Sequence, residues 1–499
     1  MRKGGNGMKK RCILTLLILC ITLSSLTAFA ENTYSSNYIY NYWGDANKSI
    51  SAFELSFVID SSAIEKAGRD IPLKTMEDVF VAYSDLYGCN AIYTVDKETS
   101  RLNIFSETGE FLDSIKIIRD DEGKIVVKNG KQLILTNPEG VFVTDDEIFI
   151  ADTGASRVVV LKKDKYTLSR IIEKPDNMIG STLFEPSKVA VDNAGRIFLV
   201  VQGSTEGIIE LNPDGSFSRY FGVNSPRVNL VDIFWRSFAS EAQKQKMSKI
   251  YAPSFNNVMC DNEGFIYAVT NDASAQHMVF RLNAKGENVL REMGYSEVQG
   301  DIFRGNMADT TRSSFVDIAV SDYGVYAVVD STMGRVFVYN FDGNLLNVFG
   351  GLGNSKGNFK TPSGITWLGD SLIVTDSSLA CAFVFTPTEF GELILEAEKK
   401  YYNGDFDGSA ELMRKVLEKN ANYDIAYVQI GKNLLMQDKY EEAMKYLKLG
   451  GDRTYYSKAY NGYRNIQIQN NFIWIALVFV AFLFYIFYSE YRYHRKNRE

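Results

Sequence analysis

Four aspartates, Asp96, Asp152, Asp330 and Asp376, stand at one point of a recurring pattern, each closing a hydrophobic run. Carboxylates gathered from several strand ends could hold a hard cation such as Ca²⁺, which takes oxygen ligands. A local role is also open to them, and it is the expected one. An Asp at a strand end accepts backbone N–H groups of the following turn and can pair with an Arg opening the next strand, as Arg157 or Arg335 would. Imidazole chemistry is bounded by count: the chain has two histidines, His277 and His494, too few for a His-rich zinc site. The sequence holds no GxSxG, Walker A or Rossmann fingerprint. GGLGNSKG at Gly350 lies between two strand patterns, which makes it a loop rather than a phosphate cradle. No catalytic, metal or cofactor residue is assigned.

The pattern that carries these aspartates repeats. Its unit is a hydrophobic strand, a turn with Gly or Asp, a second strand often ending in Asp or Thr, a short polar loop and a third strand. The clearest copy is EGVFVTDDEIFIADTGASRVVVLKKD from Glu139, and others begin at Met76, Pro186, Ala252, Phe315 and Thr361. Within strands the apolar residues alternate, as Ile148 and Ile150 do against Phe149 and Ala151, the period of half-buried β-structure. Gly215, Gly286 and Gly343 sit at turns that need positive φ. Six units of roughly 50 residues over 76–387 predict a six-bladed β-propeller, with a β-sandwich or two stacked sheets as the alternative. Between units three and four, Val231, Phe234, Trp235, Phe238 and Ala242 fall at helical spacing, predicting an inserted helix over about 225–247. Phe234, Trp235 and Phe238 are candidate partner-binding residues there, and packing on a blade is the plainer role. The aromatic stretch YSSNYIYNYWGD from Tyr34, in a segment spanning 31–75, is expected to pack on the propeller, although flat rings also stack on sugars. Cys89, Cys260 and Cys381 form no disulfide or metal pattern and read as small core residues.

ADTGASRVVVL at Ala151 and VDSTMGRVFVYNFDG at Val329 resemble the NHL repeat, whose usual form is close to xxxADTGNxRVxVF. The copies at Pro186 and Ala252 match it less well, having lost the Asp-Thr-Gly turn. Relatives of this kind include lyases and sugar-lactone hydrolases, so the resemblance leaves open a Ca²⁺ or similar ion in the channel.

After Thr388 the period becomes helical. Two segments over 388–471 are offset by 34 residues, with Phe406 aligned to Tyr440 and Ser409 to Ala443. They are similar to the tetratricopeptide repeat, with Tyr427, Ile430, Gly431, Leu434, Tyr440, Ala443 and Leu447 on its packing positions, and Tyr427 and Tyr440 are further candidate partner-binding residues. Two such repeats are too few for an independent solenoid. A third helix from Thr454 to about Gln467 is expected to lead into the next segment.

Both ends read as membrane signals. Arg2, Lys3, Lys9, Lys10 and Arg11 precede an apolar run and Ala28-Phe29-Ala30, the order of a secretory signal peptide over 1–30, with translation starting at Met1 or Met8. The uncharged run 472–488 is long enough to cross a bilayer. Phe472 and Trp474 stand at one end and Tyr485 and Tyr488 at the other, as an aromatic belt does, and the basic tail 489–499 predicts a cytoplasmic C-terminus. The part outside, 31–471, has 45 basic against 59 acidic residues, a net charge of about −14. Such a domain repels nucleic acid and anionic polymers and suits neutral or cationic partners.

The chain is therefore expected to be a single-pass cell-membrane protein, its bulk extracytoplasmic, acting as a binding scaffold or sensor for a protein partner at the outer membrane face. The order propeller, helical repeat, single span resembles a group of Gram-positive NHL-repeat membrane proteins linked to sugar ABC transporter loci, which implies a transporter component or carbohydrate as partner. The alternative is a metal-assisted propeller hydrolase or lyase acting on a cell-surface sugar derivative.

Overall fold

The computed structural model describes residues 37–178, 184–201, 203–222, 253–272, 275–304 and 310–496. The expected signal peptide and the expected helix with Phe234, Trp235 and Phe238 lie outside the described residues. Among the described residues, alternating apolar strands joined by tight turns fold into eight antiparallel sheets, of which six are blades and two are two-stranded ribbons. Blade one comprises Met76–Ser84, Cys89–Asp96, Arg101–Ser106 and Phe111–Ile115. Blade two runs from Gly140–Val143 to Leu168–Ile172, and blade three from Pro186–Val191 to Phe217–Phe221. Blade four runs from Asn257–Cys260 to Val279–Leu282, blade five from Phe315–Val320 to Leu345–Gly350, and blade six from Pro362–Leu368 to Cys381–Pro387. The first strand of every blade lies at the axis, packed against the first strands of its neighbours. The fold is a six-bladed β-propeller.

Blade six obtains its fourth strand from the other end of the chain. β3 (Phe53–Ile59) pairs antiparallel with Cys381–Pro387, placing Ile59 opposite Ala382 and Phe53 opposite Pro387. The ring is thus closed by a strand that precedes residue 76, where the repeat pattern starts. β1 (Tyr38–Tyr40) and β2 (Ala46–Lys48) form a hairpin that extends blade five through Tyr38 and Val348. Asp301 holds this hairpin, accepting hydrogen bonds from Tyr38, Tyr40 and Arg335. Arg335 therefore pairs with Asp301, not with Asp330 as its place at the strand start suggested.

A short helix, α1 (Ser61–Lys66), follows β3. After the propeller come α2 (Glu389–Tyr402), α3 (Phe406–Lys419), α4 (Asp424–Met436), α5 (Tyr440–Leu449) and α6 (Arg453–Lys496). They have no separate core. Phe390, Ile394, Met413, Tyr423 and Leu447 join Ile39, Phe53, Val329 and Phe385 in one buried cluster that crosses from helices to blades. The seam is also polar: Glu398 accepts from Asn340 at 3.1 Å and from Gln429 at 2.5 Å, and the Tyr423 hydroxyl donates to Leu346 O. The first turn of α2 sits on the Ala52 backbone, where a Cβ on Gly391 would stand 2.0 Å from Ala52 O. Gly391→Ala is therefore expected to lift α2 from the propeller at about 1–3 kcal/mol, the usual cost of overpacking. A fall in the unfolding midpoint of the full chain in detergent is the readout, and an unchanged midpoint would contradict the close approach.

α6 is one continuous helix of 44 residues. It is long and apolar enough to cross a membrane, and none of its apolar window is buried in the protein. Phe472, Trp474, Tyr485 and Tyr488 are all more than half exposed on it. Its bare apolar surface separates it from the core helix of a soluble protein, which would be covered.

Candidate functional site

Four of the recurring aspartates take the local role. Asp96, Asp152, Asp330 and Asp376 are fully buried. Each bonds the backbone leading into its own blade: Lys74 and Thr75 N–H for Asp96, Thr136 for Asp152, Ser314 for Asp330, Lys360 and Thr361 for Asp376. Asp96, Asp330 and Asp376 also cap the following turn, through Thr99, Thr332 and Leu379 N–H, and Arg157 Nε donates to Asp152 at 2.8 Å. In blade four Thr270 takes over, its hydroxyl donating to Ser254 O and accepting from Asp272 N–H. In these five blades the residues stitch the entry to the second strand; blade three has Val201 at the equivalent position. They do not converge on a shared ligand.

What converges lies on the inner strands. The equivalent position of the six blades is occupied by Asp78, Gly140, Lys188, Asn257, Asp317 and Gly364, at or beside a register shift in blades one, three, five and six. The four side chains are between 3 and 8 % exposed. Lys188 Nζ lies 2.9 Å from Asp78 Oδ1, and Asn257 donates to Asp317 Oδ1. The other carboxylate oxygens reach the next blade, Asp78 to Val141 N–H at 2.8 Å and Asp317 to Ile365 N–H at 2.6 Å. The two glycines make the room: a Cβ at Gly140 would lie 2.5 Å from Ser187 O, and one at Gly364 would lie 3.2 Å from Asp78 Cα. Burial pushes the Asp317 carboxyl up to about 8; Lys188 opposes the shift and Asp78 adds to it. Burial disfavours the Lys188 ammonium, but Asp78 and Asp317 outweigh it and hold the group above the ordinary lysine range. This set does not fit a divalent cation, because the chain's own ammonium already takes up Asp78. Among the described residues no three His, Cys, Asp or Glu are grouped to hold a metal.

Two residues further along each inner strand, the period of two brings a second ring to the axis: Phe80, Phe142, Ala190, Met259, Ala319 and Thr366. Phe80 and Phe142 meet at 4.7 Å between ring centres. Beyond them the first turns open into a funnel of about 1840 Å³, with Trp367 on its wall. Every blade places an aspartate here: Asp85, Asp145, Asp192, Asp261, Asp322 and Asp370. Some of these are taken up by the fold. Asp192 and Asp261 bond their own turns, Asp322 accepts from Asn262, and Asp370 from the Tyr323 hydroxyl. Asp85, Asp145, Asp146 and Asp164 accept no side-chain hydrogen bond among the described residues, and all four are exposed. α2 borders the mouth, with Lys399 on the wall and the Tyr402 hydroxyl donating to Glu263 at 2.7 Å.

Tyr427 and Tyr440 do not face the funnel. Tyr427 donates to Ala421 O, and the Tyr440 ring packs where a Cβ on Gly462 of α6 would fall, so both are half-buried in the helical layer. His277 lies beyond the second strand of blade four, at the end of the propeller opposite the funnel, 3.3 Å from Glu292.

No family model matches the chain, and no curated protein matches it in sequence. Among solved structures it is similar to virginiamycin B lyase from Staphylococcus aureus, at 10 % identity over 67 % of this chain and 99 % of that one, with a TM-score of 0.39. A streptogramin B lyase gives 11 % over 68 % and 100 %, with a TM-score of 0.39. A chain of a nidogen/laminin complex gives 16 % over 60 % and 86 %, with a TM-score of 0.35. At this distance the likeness is one of shape and bears on nothing else.

Two buried acids make stability depend on pH. Burial raises Glu398 to about 7 and Asp317 to about 8, both above their unfolded values near 4. Between about pH 4 and each folded value the native state holds a proton that the unfolded state has released, so stability falls as pH rises through that window, by up to ~1.4 kcal/mol per pH unit for each group. Asp317→Asn is expected to flatten the decline up to about pH 8, and Glu398→Gln up to about pH 7. Unfolding midpoints of the full chain between pH 4.5 and 8.5 check this, and a rise in stability over that range for the unsubstituted chain would contradict it.

Proposed function

We propose that the chain is a membrane-anchored binding scaffold that holds a neutral or cationic protein partner in the funnel of its propeller. The observation that carries this reading is the stacking of rings at the axis: a self-neutralising polar plug, an apolar floor and an aspartate-rich mouth wide enough for a polypeptide loop. An apolar floor with polar groups around it is the usual form of a binding cavity, and the uncommitted carboxylates favour Lys- or Arg-bearing segments. The signal-peptide pattern and the basic tail support a bulk outside the cytoplasm and a C-terminus within it. A partner in the same membrane follows from the anchor, and a transporter component or its carbohydrate cargo is what the NHL-type resemblance implies.

A photo-crosslinking residue at Asp145 or Asp370, on the funnel, tests the reading in intact cells, with Ser378 on the opposite end as control. Adducts with one membrane protein from the funnel positions alone are expected. Adducts from Ser378 and none from the funnel would overturn the proposal.

A further inference from the structure

We infer that a second site, opposite in charge to the funnel, lies where the N-terminal hairpin meets the first turns of α6, and that it takes a small organic anion carried on a ring. A cleft of about 560 Å³ opens there between Tyr42 and Trp43, the connection between blades four and five, and α4 and α6. Three cations line it, Lys432, Arg453 and Lys458. Lys432 is the telling one. Its side chain is 10 % exposed, yet its ammonium donates no hydrogen bond among the described residues, and its nearest carboxylate oxygen, on Asp342, is 3.9 Å away. That Asp342 is already engaged by Arg291 at 2.9 Å and by the Tyr401 hydroxyl at 3.2 Å. The ammonium instead lies 4.6 Å from the centre of the Tyr455 ring, and Lys458 lies 4.3 Å from the same ring. The Arg453 guanidinium has no carboxylate partner among the described residues. The one acid lining the cleft, Asp452, turns its Oδ1 to the Tyr455 N–H at 2.9 Å, capping α6. In a chain of net charge −7, three cations around one such cavity are a built positive site, and the N-terminal end of α6 adds to the field.

The other wall selects for shape. Trp43 is 66 % exposed, and it is braced: its ring lies 4.3 Å from that of Tyr42, which is wedged against Gly451, where a Cβ would fall 2.5 Å from the Tyr42 ring. A braced indole beside ammonium groups offers a flat face to a ring whose carboxylate or phosphate the cations hold. The charge of the surrounding domain disfavours long polyanions. Along α6, Tyr455 and Phe472 are 17 positions apart, about 26 Å of helix, whereas the headgroup layer adds only about 6 Å to each side of the hydrocarbon core. The ligand is therefore a soluble molecule rather than a lipid headgroup.

The test uses the full chain in phosphatidylcholine nanodiscs, titrated by calorimetry with D-glucuronate and with benzoate, and with D-glucose as the neutral control. Saturation by at least one anion is expected, and which one saturates distinguishes a sugar face from an aromatic ring on Trp43. Affinity is expected to fall at least about tenfold, some 1.4 kcal/mol, for Lys432→Met, for Trp43→Ala and for the exposed pair Arg453→Gln with Lys458→Gln. The last variant carries the test if Lys432→Met does not fold. Failure of both anions to saturate below about 10 mM, a value already near the limit of useful affinity, overturns the inference. So does binding that survives all the substitutions, binding of glucose equal to that of the anions, or loss of anion binding when the nanodiscs contain phosphatidylglycerol.

Discussion

Lys188→Met is expected to destabilise the propeller by about 3–5 kcal/mol, because it leaves a carboxylate buried without its counter-charge. The ammonium is held 2.9 Å from Asp78 at the axis, where the six blades meet, and Asp317 stands close enough to feel both charges. Removing the cation leaves Asp78 with one backbone N–H from Val141 and Asp317 with no positive neighbour in the cluster. The companion variant Lys188→Met with Asp78→Asn should recover part of the loss, since the amide oxygen can still accept from Val141 and no unpaired charge remains at that position. Urea unfolding of the full chain in detergent measures both. A single variant within ~1 kcal/mol of the parent would show that the cluster is solvated and would sink the picture of a plugged axis, since pairs open to water contribute about that little.

Removal of residues 37–59 is expected to have an effect at least as large. β3 buries Phe53 and Ile59 and supplies the outer strand of blade six. Two fully buried side chains of this size account for about 3–6 kcal/mol before any backbone pairing is counted, a large part of the 5–15 kcal/mol by which domains are ordinarily stable. The edge of Cys381–Pro387 would also be left open to pair with other chains. Aggregation or loss of cooperative unfolding is the expected outcome, and a synthetic peptide spanning Ser51–Asp60 should restore part of the transition by refilling the edge. A truncated chain that unfolds like the parent would show that ring closure does not depend on β3.

The repeated units revealed the blades because each carries its own alternation and turns. Positive φ at Gly215, Gly286 and Gly343 is a local fact that the structure reproduces, whereas the strand of Ile148 and Ile150 against Phe149 and Ala151, expected to be half-buried, is buried on both faces because a neighbouring blade packs on each. The closing strand was hidden because its partner lies more than three hundred residues away in the chain, and no local pattern records such a pairing. The axial cluster was hidden for another reason. Asp78, Lys188 and Asp317 each stand among apolar residues of their own strand, with nothing local to mark them as a set. Only superposition of all six copies at the register shift places two Asp, a Lys, an Asn and two Gly in one ring, a set whose charges and sizes complement one another. Asp96 and its counterparts were visible as recurring letters, and their turn chemistry was foreseen; the pairing of Arg335 was not, because Asp301 reaches it from outside the repeat.

α6 packs on the helical layer as far as Gly462 and becomes apolar at Phe472, ten positions on. At 1.5 Å per residue that leaves about 15 Å of uninterrupted helix. With no Gly or Pro between those residues, this stretch acts as a strut rather than a leash. Under the proposed anchoring through α6, the propeller would not sweep the bilayer in search of a partner; its clearance would be set in advance, and a protein that engages it would have to present its contact surface at that height.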